Sequence, residues 1–196
     1  HLHACKLSAF RKKESHRLDE EIQSHLNDLM LPNARFVTSF TDSEPSLYGD
    51  DHVEFLISMN QGEDPKPLAK TASGGELSRL MLGLKIIFTH LQGISTVIFD
   101  EIDTGLSGVS AQAVANKIAE ISLSTQVISI THMPQVAARS DHQILLSKKV
   151  KEGRTYAEIK ELGLDEKIRQ VAYLISGGDI TQKQLDYATE MVMSHS

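Results

Sequence analysis

Three stretches decide the fold: Ser73-Gly74-Gly75-Glu76 at the head of an apolar run, Thr96-Val97-Ile98-Phe99-Asp100-Glu101, and Thr125-Gln126-Val127-Ile128-Ser129-Ile130-Thr131-His132. After the first come Leu77, Leu80, Met81, Leu84, Ile87, Phe88 and Leu91, whose spacing traces one face of a long helix. The second and third are short β-branched runs that read as strands, separated by a helix from about Val109 to Ser122. A helical piece from Pro134 precedes two further strands, His142 to Ser147 and Thr155 to Lys160. Strand, helix, strand, helix, strand is the order of a mainly parallel sheet flanked by helices, so the expected class is α/β. Leu164 to Ile175 and Thr181 to Met193 read as closing helices separated by Gly177-Gly178.

Toward the amino terminus, Leu7 to Leu29 contains neither Gly nor Pro and places Leu18, Ile22, Leu26 and Leu29 at intervals of three and four. It reads as an amphipathic helix, either lying on the domain surface or forming the returning end of a coiled-coil arm. Pro32 is expected to end it, because the residue before a proline is biased away from helical angles. Ala34 to Thr41 and His52 to Met59 read as strands joined by a loop rich in turn formers, Asp42, Ser43, Pro45, Gly49 and Asp50. Asn60 to Lys70 is expected to be loosely structured. The expected division is an arm end at 1–31 and a lobe at 32–196.

Composition narrows the classes. The chain has 196 residues, with 20 basic and 26 acidic side chains and a formal charge of −6. A chain of that length buries about 70% of its unfolded surface and needs no disulfide or structural metal to hold a core. The lone Cys5 forbids an internal disulfide, and the nine histidines form no Cys/His pattern for zinc. No apolar run reaches the ~18 to 20 residues of a membrane span, so membrane partners are not expected. The opening His-Leu-His-Ala-Cys-Lys is no signal peptide, and the expectation is a cytoplasmic fragment of a longer protein. The acidic balance argues against a basic coat for nucleic acid but allows a local basic patch.

Each of the three stretches has a structural and a chemical reading. Ser73-x-x-Glu76 is the pattern of a capping box, in which serine and glutamate satisfy the free amides of a helix start. A capping box does not need Gly74-Gly75, which cost roughly 1 kcal/mol each in a helix relative to alanine. They bare amide N–H groups at the positive end of a helix, where a phosphate can approach. Asp100 and Glu101 can be acids that meet solvent at a strand end. At the carboxyl edge of a parallel sheet, one of them can hold magnesium through water and the other can orient or deprotonate an attacking water. His132 alone is a common structural residue; in this order with the other two it favours the chemical readings over the structural ones.

Taken together these residues resemble the ABC-type ATPases. Ser73-Gly74-Gly75-Glu76 is similar to their signature motif, Val97 to Glu101 to their Walker B strand, Asp103-Thr104-Gly105-Leu106-Ser107-Gly108 to their D-loop, and His132 to their switch histidine. Lys70 to Arg79, Phe99 to Gly108 and Thr131 to Ala137 resemble most closely the RecN family, bacterial SMC-like DNA repair proteins. Gly-Leu-Ser-Gly in the D-loop, where other SMC-type heads have Ala-Leu-Asp, favours that family. No Gly-x-x-x-x-Gly-Lys-Ser/Thr occurs: Lys70-Thr71 has Ala69 and Asp64 where glycines belong.

The resemblance implies the carboxy-terminal lobe of an ATPase head that lacks the Walker A of the amino-terminal lobe and is inactive alone. It implies two heads closing head to tail on ATP and Mg²⁺, with Ser73, Gly74, Gly75 and Glu76 meeting the nucleotide of the opposite head. Asp100 would help place magnesium, Glu101 would activate water, His132 would contact the γ-phosphate, and Asp103, Gly105 and Ser107 would couple the two sites. The implied role is recombinational repair of DNA double-strand breaks, on the nucleoid, in partnership with the amino-terminal lobe, a second head and DNA. The alternatives are an ATP-clamped DNA-tethering module with incidental turnover and, less favoured by the charged upstream helix, a transporter-type subunit. Two basic groups, Arg11, Lys12, Lys13 and Arg17, and Lys148, Lys149, Lys151 and Arg154, can touch DNA phosphates or serve as solvated faces.

Overall fold

The first helix, α1 (Leu2–Asp28), starts five residues before the expected Leu7 and carries the chain into a core shared with two other layers. Pro32 does not end it. The helix closes on Met30, which adopts φ 60°, while the Leu31 N–H donates to the Leu26 carbonyl at 2.8 Å and the Met30 N–H to the Asn27 carbonyl at 3.1 Å. That is a Schellman cap with a methionine in the left-handed position that glycine normally takes. Leu26 and Leu31 flank it in one apolar cluster, the contact that holds such a cap shut. The computed structural model describes all residues except 1, 71–73, 101, 103–105, 107, 152 and 195–196, and only the backbone of 69, 74–76, 90–91 and 151.

Strands β1 (Arg35–Ser46) and β2 (Gly49–Ser58) form an antiparallel hairpin, and a short β3 (Lys66–Pro67) pairs with β2. Most of the loop expected between Asp42 and Asp50 is therefore strand. Pairing runs from Arg35↔Ser58 to Asp42↔Asp51, shifts register, and resumes at Ser46↔Gly49. The turn formers shape a bulge and a two-residue tip instead of an open loop. At the tip the Ser46 hydroxyl accepts from the Tyr48 N–H at 3.1 Å and donates to the Gly49 carbonyl at 2.9 Å. Gly49 there has φ 104°, beyond what a side chain tolerates. The segment expected to be loose also carries structure, β3 and a 3-10 turn at Leu68–Lys70.

Helix α2 (Gly74–Gln92) ends at Gly93, φ 61°, with the Ile94 N–H returning to the Thr89 carbonyl at 3.2 Å. The reversal leads directly into β4 (Thr96–Asp100), then α3 (Gly108–Ser122), β5 (Gln126–Ile130) and α4 (Pro134–Ala138). β4 and β5 pair in parallel from Thr96↔Gln126 to Asp100↔Ile130, with α3 as the crossover. The α/β class stands, but the parallel sheet is narrower than expected. β6 (Gln143–Lys151) pairs with β7 (Arg154–Leu162), antiparallel, in a hairpin of its own among the described residues. α5 (Leu164–Ser176) and α6 (Gln182–Met193) close the chain, the second capped by Thr181, whose hydroxyl accepts from the Gln184 N–H.

Packing explains why α2 is apolar on more than one face. Leu82 and Ile86 join Val97, Phe99 and the α3 residues Val114 and Ile118 in one cluster. Leu80, Leu84 and Ile87 join Ile22 and Leu26 of α1 and Phe36 and Ile57 of the hairpin in another. A third cluster, around Ala138, Val171 and Ala188, fastens α5 and α6 to α4. No described helix is long and apolar enough to cross a membrane.

Candidate functional site

The pleat of β4 sets the site. Val97 and Phe99 point into the core at 8% and 1% exposure, while Ile98 is 58% exposed on the other face. Asp100 has the parity of Ile98, and it is exposed at the carboxyl end of the strand. In β5, Ile128 and Ile130 are exposed on the face of Ile98, and Ile130 is the register partner of Asp100. His132 follows Ile130 by two residues, so the structure brings Asp100 and His132 to one edge of the parallel pair. Local chemistry shapes that exit: the Thr131 hydroxyl accepts from the Met133 N–H at 2.9 Å, and Pro134 holds Met133 extended at φ −89°, ψ 125° before α4 begins. His132 itself is exposed.

Gly74, Gly75 and Glu76 form the first turn of α2. Ser73, Glu101, Asp103, Gly105 and Ser107 lie outside the described residues, and so does the capping bond expected of Ser73. Because α2 turns back into β4 through three residues, its amino end is directed toward the carboxyl side of the strand. The Lys85 ammonium lies 5.3 Å from the centre of the Phe99 ring, a contact between α2 and β4.

Two residues absent from the sequence reading as site candidates tie this region to α1. The Arg79 guanidinium donates from Nη1 to the Leu29 carbonyl at 3.4 Å and to the Ser110 hydroxyl at 3.3 Å, joining α2, the end of α1 and the first turn of α3. Lys117, in α3, has a side chain only 9% exposed and sits between Asp28 at 2.8 Å and Glu120 at 2.7 Å. Burial pulls its pKa down, and the hydrogen bonds to Asp28 and Glu120 more than restore it, so the ammonium is held above its ordinary range. Its signal in the sequence is a lysine on the apolar stripe, with Val114 three residues before it and Ile121 four after. His25 is near this pair; burial first, and then the Lys117 charge, lowers its pKa.

The two basic groups are partly neutralised. Arg11 pairs with Asp51 at 3.5 Å, Arg17 with Glu21 at 3.2 Å and Lys149 with Glu158 at 2.5 Å, while Lys12 lies 5.8 Å above the Phe40 ring. Among the described residues no group of three metal-ligating side chains forms a metal cage. Asp100, a carboxylate exposed at the carboxyl end of β4, offers the oxygen donor type that a hard cation such as Mg²⁺ takes.

No protein-family model matches the chain. It is 43% identical over 191 residues to the DNA repair protein RecN of Halalkalibacterium halodurans, covering 95% of this chain and 34% of that protein. It is 40% identical over 205 residues to the DNA repair protein RecN of Bacillus subtilis, covering 96% of this chain and 36% of that protein. The chain thus spans about a third of the length of these relatives. Among solved structures it is similar to an Smc head domain with a coiled coil and joint from Pyrococcus yayanosii, with TM-score 0.62, 21% identity, and coverage of 83% of this chain and 29% of that one. A chain described under ATP-driven dimerization and DNA stimulated activation of SMC ATPases aligns with TM-score 0.56 and 21% identity, over 83% of this chain and 93% of that one.

Proposed function

We infer, from a chain that is RecN-type in sequence and folded as an SMC-type head, that it is the carboxy-terminal lobe of an SMC-like ATPase head acting in DNA break repair. The observation that carries this reading is the register of the parallel pair, which sets Asp100 opposite Ile130 and so presents Asp100 and His132 at one strand edge. A second observation supports a missing lobe. Parallel strands are ordinarily covered on both faces, yet Ile98, Ile128 and Ile130 are 58%, 46% and 56% exposed. A second lobe carrying the Walker A would cover that face and complete the nucleotide site. The division at 31/32 is part of the same proposal, with α1 as the end of an arm.

Magnesium-bound ATP, when present, supplies the γ-phosphoryl group for hydrolysis. Asp100 would orient water on the metal, Glu101 would take the proton of the attacking water, and His132 would hold charge on the γ-phosphate oxygens. The resemblance of Ser73 to Glu76 to a signature motif supports assigning Gly74 and Asp100 to two different nucleotides. Ser73, Gly74, Gly75 and Glu76 would meet the ATP of the opposite head through hydroxyl, amides and the positive end of α2. Asp103, Gly105 and Ser107 would lie between the two sites. The pairing of Arg11, Arg17 and Lys149 with acids leaves a weaker basis for DNA contact, which would be to phosphates and salt-sensitive.

The test is Glu101→Gln in the full-length protein. The account expects ATP binding to persist, turnover to fall by about a hundredfold or more, in keeping with loss of a general base, and paired heads to accumulate. Wild-type turnover in the variant removes Glu101 from its role. The reading of an ATP-clamped tether with incidental turnover expects DNA bridging to survive that loss.

A further inference from the structure

We propose that Lys117 and Arg79 clamp the last turn of α1 to α3 and so make the arm direction report on the nucleotide edge; this rests on the reading just given. The last turn of α1 is a plug between two cores. Leu26 is buried among the hairpin and α2 residues, whereas Leu29, three residues on, is buried among Val114, Ile118 and Ile121. Polar contacts grip the same turn at two adjacent residues: Asp28 through Lys117, and the Leu29 carbonyl through Arg79, which also holds Ser110. The carbonyl is one that the end of a helix leaves without an intrahelical partner, and a cation there also matches the helix dipole.

Ser110 and Lys117 are seven residues apart in α3, two turns on one face and about 10 Å along its axis. α3 begins at Gly108, eight residues after Asp100 at the end of β4. A displacement of α3 as a rigid helix is passed by the clamp to α1 at two points and not through a single pivot. The choice of residue at 117 favours coupling over stability. A lysine 9% exposed on an apolar stripe is costly to desolvate, and an apolar side chain of similar length would pack there without that cost. Its two partners, Asp28 and Glu120, are 52% and 51% exposed and stay hydrated if the lysine is removed. Lys117→Met is therefore expected to fold and to lose the connection specifically.

The experiment uses the full-length protein with nitroxides at Cys5, exposed on α1, and at Lys183→Cys, exposed on α6, any other cysteine being replaced. In the wild type, ATP with Mg²⁺ is expected to shift the distance between the labels. In Lys117→Met the shift is lost and kcat falls about fivefold or more, the low end of measured coupling between sites, while KM for ATP stays within about twofold. Lys117→Arg, which keeps the charge, is expected to restore both. Should Lys117→Met fail to fold, Asp28→Asn, at a half-exposed position, carries the same expectation. A wild type that hydrolyses ATP, with Lys117→Met or Asp28→Asn showing the same kcat and the same shift, overturns the clamp alone. A wild type with neither turnover nor shift overturns the nucleotide reading and the clamp with it.

Discussion

Asp19 offers a sharp test of how α1 is held. Its carboxylate accepts the Thr38 N–H at both oxygens, 3.1 Å each, and the Thr38 hydroxyl at 2.6 Å. Among the described residues β1 is at the edge of its sheet, and the helix carboxylate supplies this N–H with the partner that an edge otherwise lacks. One shared N–H bond and one hydroxyl bond to a charged acceptor contribute about 1.5 kcal/mol each when buried. Asp19 is half-buried, so water recovers part of the loss, and Asp19→Ala is expected to cost about 2 kcal/mol. Thr38→Val, which keeps the N–H, is expected to cost about 1 kcal/mol, and the double variant less than the sum, by about 1 kcal/mol. Urea unfolding at neutral pH with an unchanged m-value reads these numbers. A loss under about 0.5 kcal/mol for Asp19→Ala, or strict additivity with Thr38→Val, refutes the bracing role.

Two further outcomes follow from the packing of α1. His25 has its pKa lowered by burial and by Lys117, so the unfolded chain takes up a proton there at a higher pH than the folded one. Stability should therefore fall as pH drops below the unfolded value of about 6.5 and level off below the folded one, and His25→Gln should flatten that part of a pH–stability curve. Met30→Gly should raise stability by about 0.5 to 1 kcal/mol, measured by thermal or urea unfolding, because it relieves a left-handed methionine whose side chain is 48% exposed.

Much of the fold was legible in the sequence because the controlling signals are local. The apolar spacing after Glu76, the β-branched runs ending at Asp100 and Thr131, and the stretch from Thr181 to Met193 each read directly as the elements found there. What could not be read is long-range or conformational. Alternation in residues 142–147 and 155–160 marks two strands but carries no information on direction, and the short turn at Gly153 makes them an antiparallel hairpin instead of an extension of the parallel pair. The turn formers from Asp42 to Asp50 were distributed between a bulge and a tip, which composition alone does not separate from a loop. Met30 was missed because a left-handed cap is ordinarily read from glycine. The clamp was missed because it depends on partners far apart in sequence, Arg79 with Leu29 and Lys117 with Asp28.

The central claim is that the glycine-opened start of α2 serves a nucleotide bound by another head, while Asp100 and Glu101 serve their own. Sedimentation velocity of full-length Glu101→Gln and of the double variant Glu101→Gln, Ser73→Arg, with and without ATP, tests it most directly. The account predicts that ATP pairs the heads of the first, and that the second still binds ATP but sediments as it does without nucleotide. Equal ATP-dependent pairing in both proteins would contradict it.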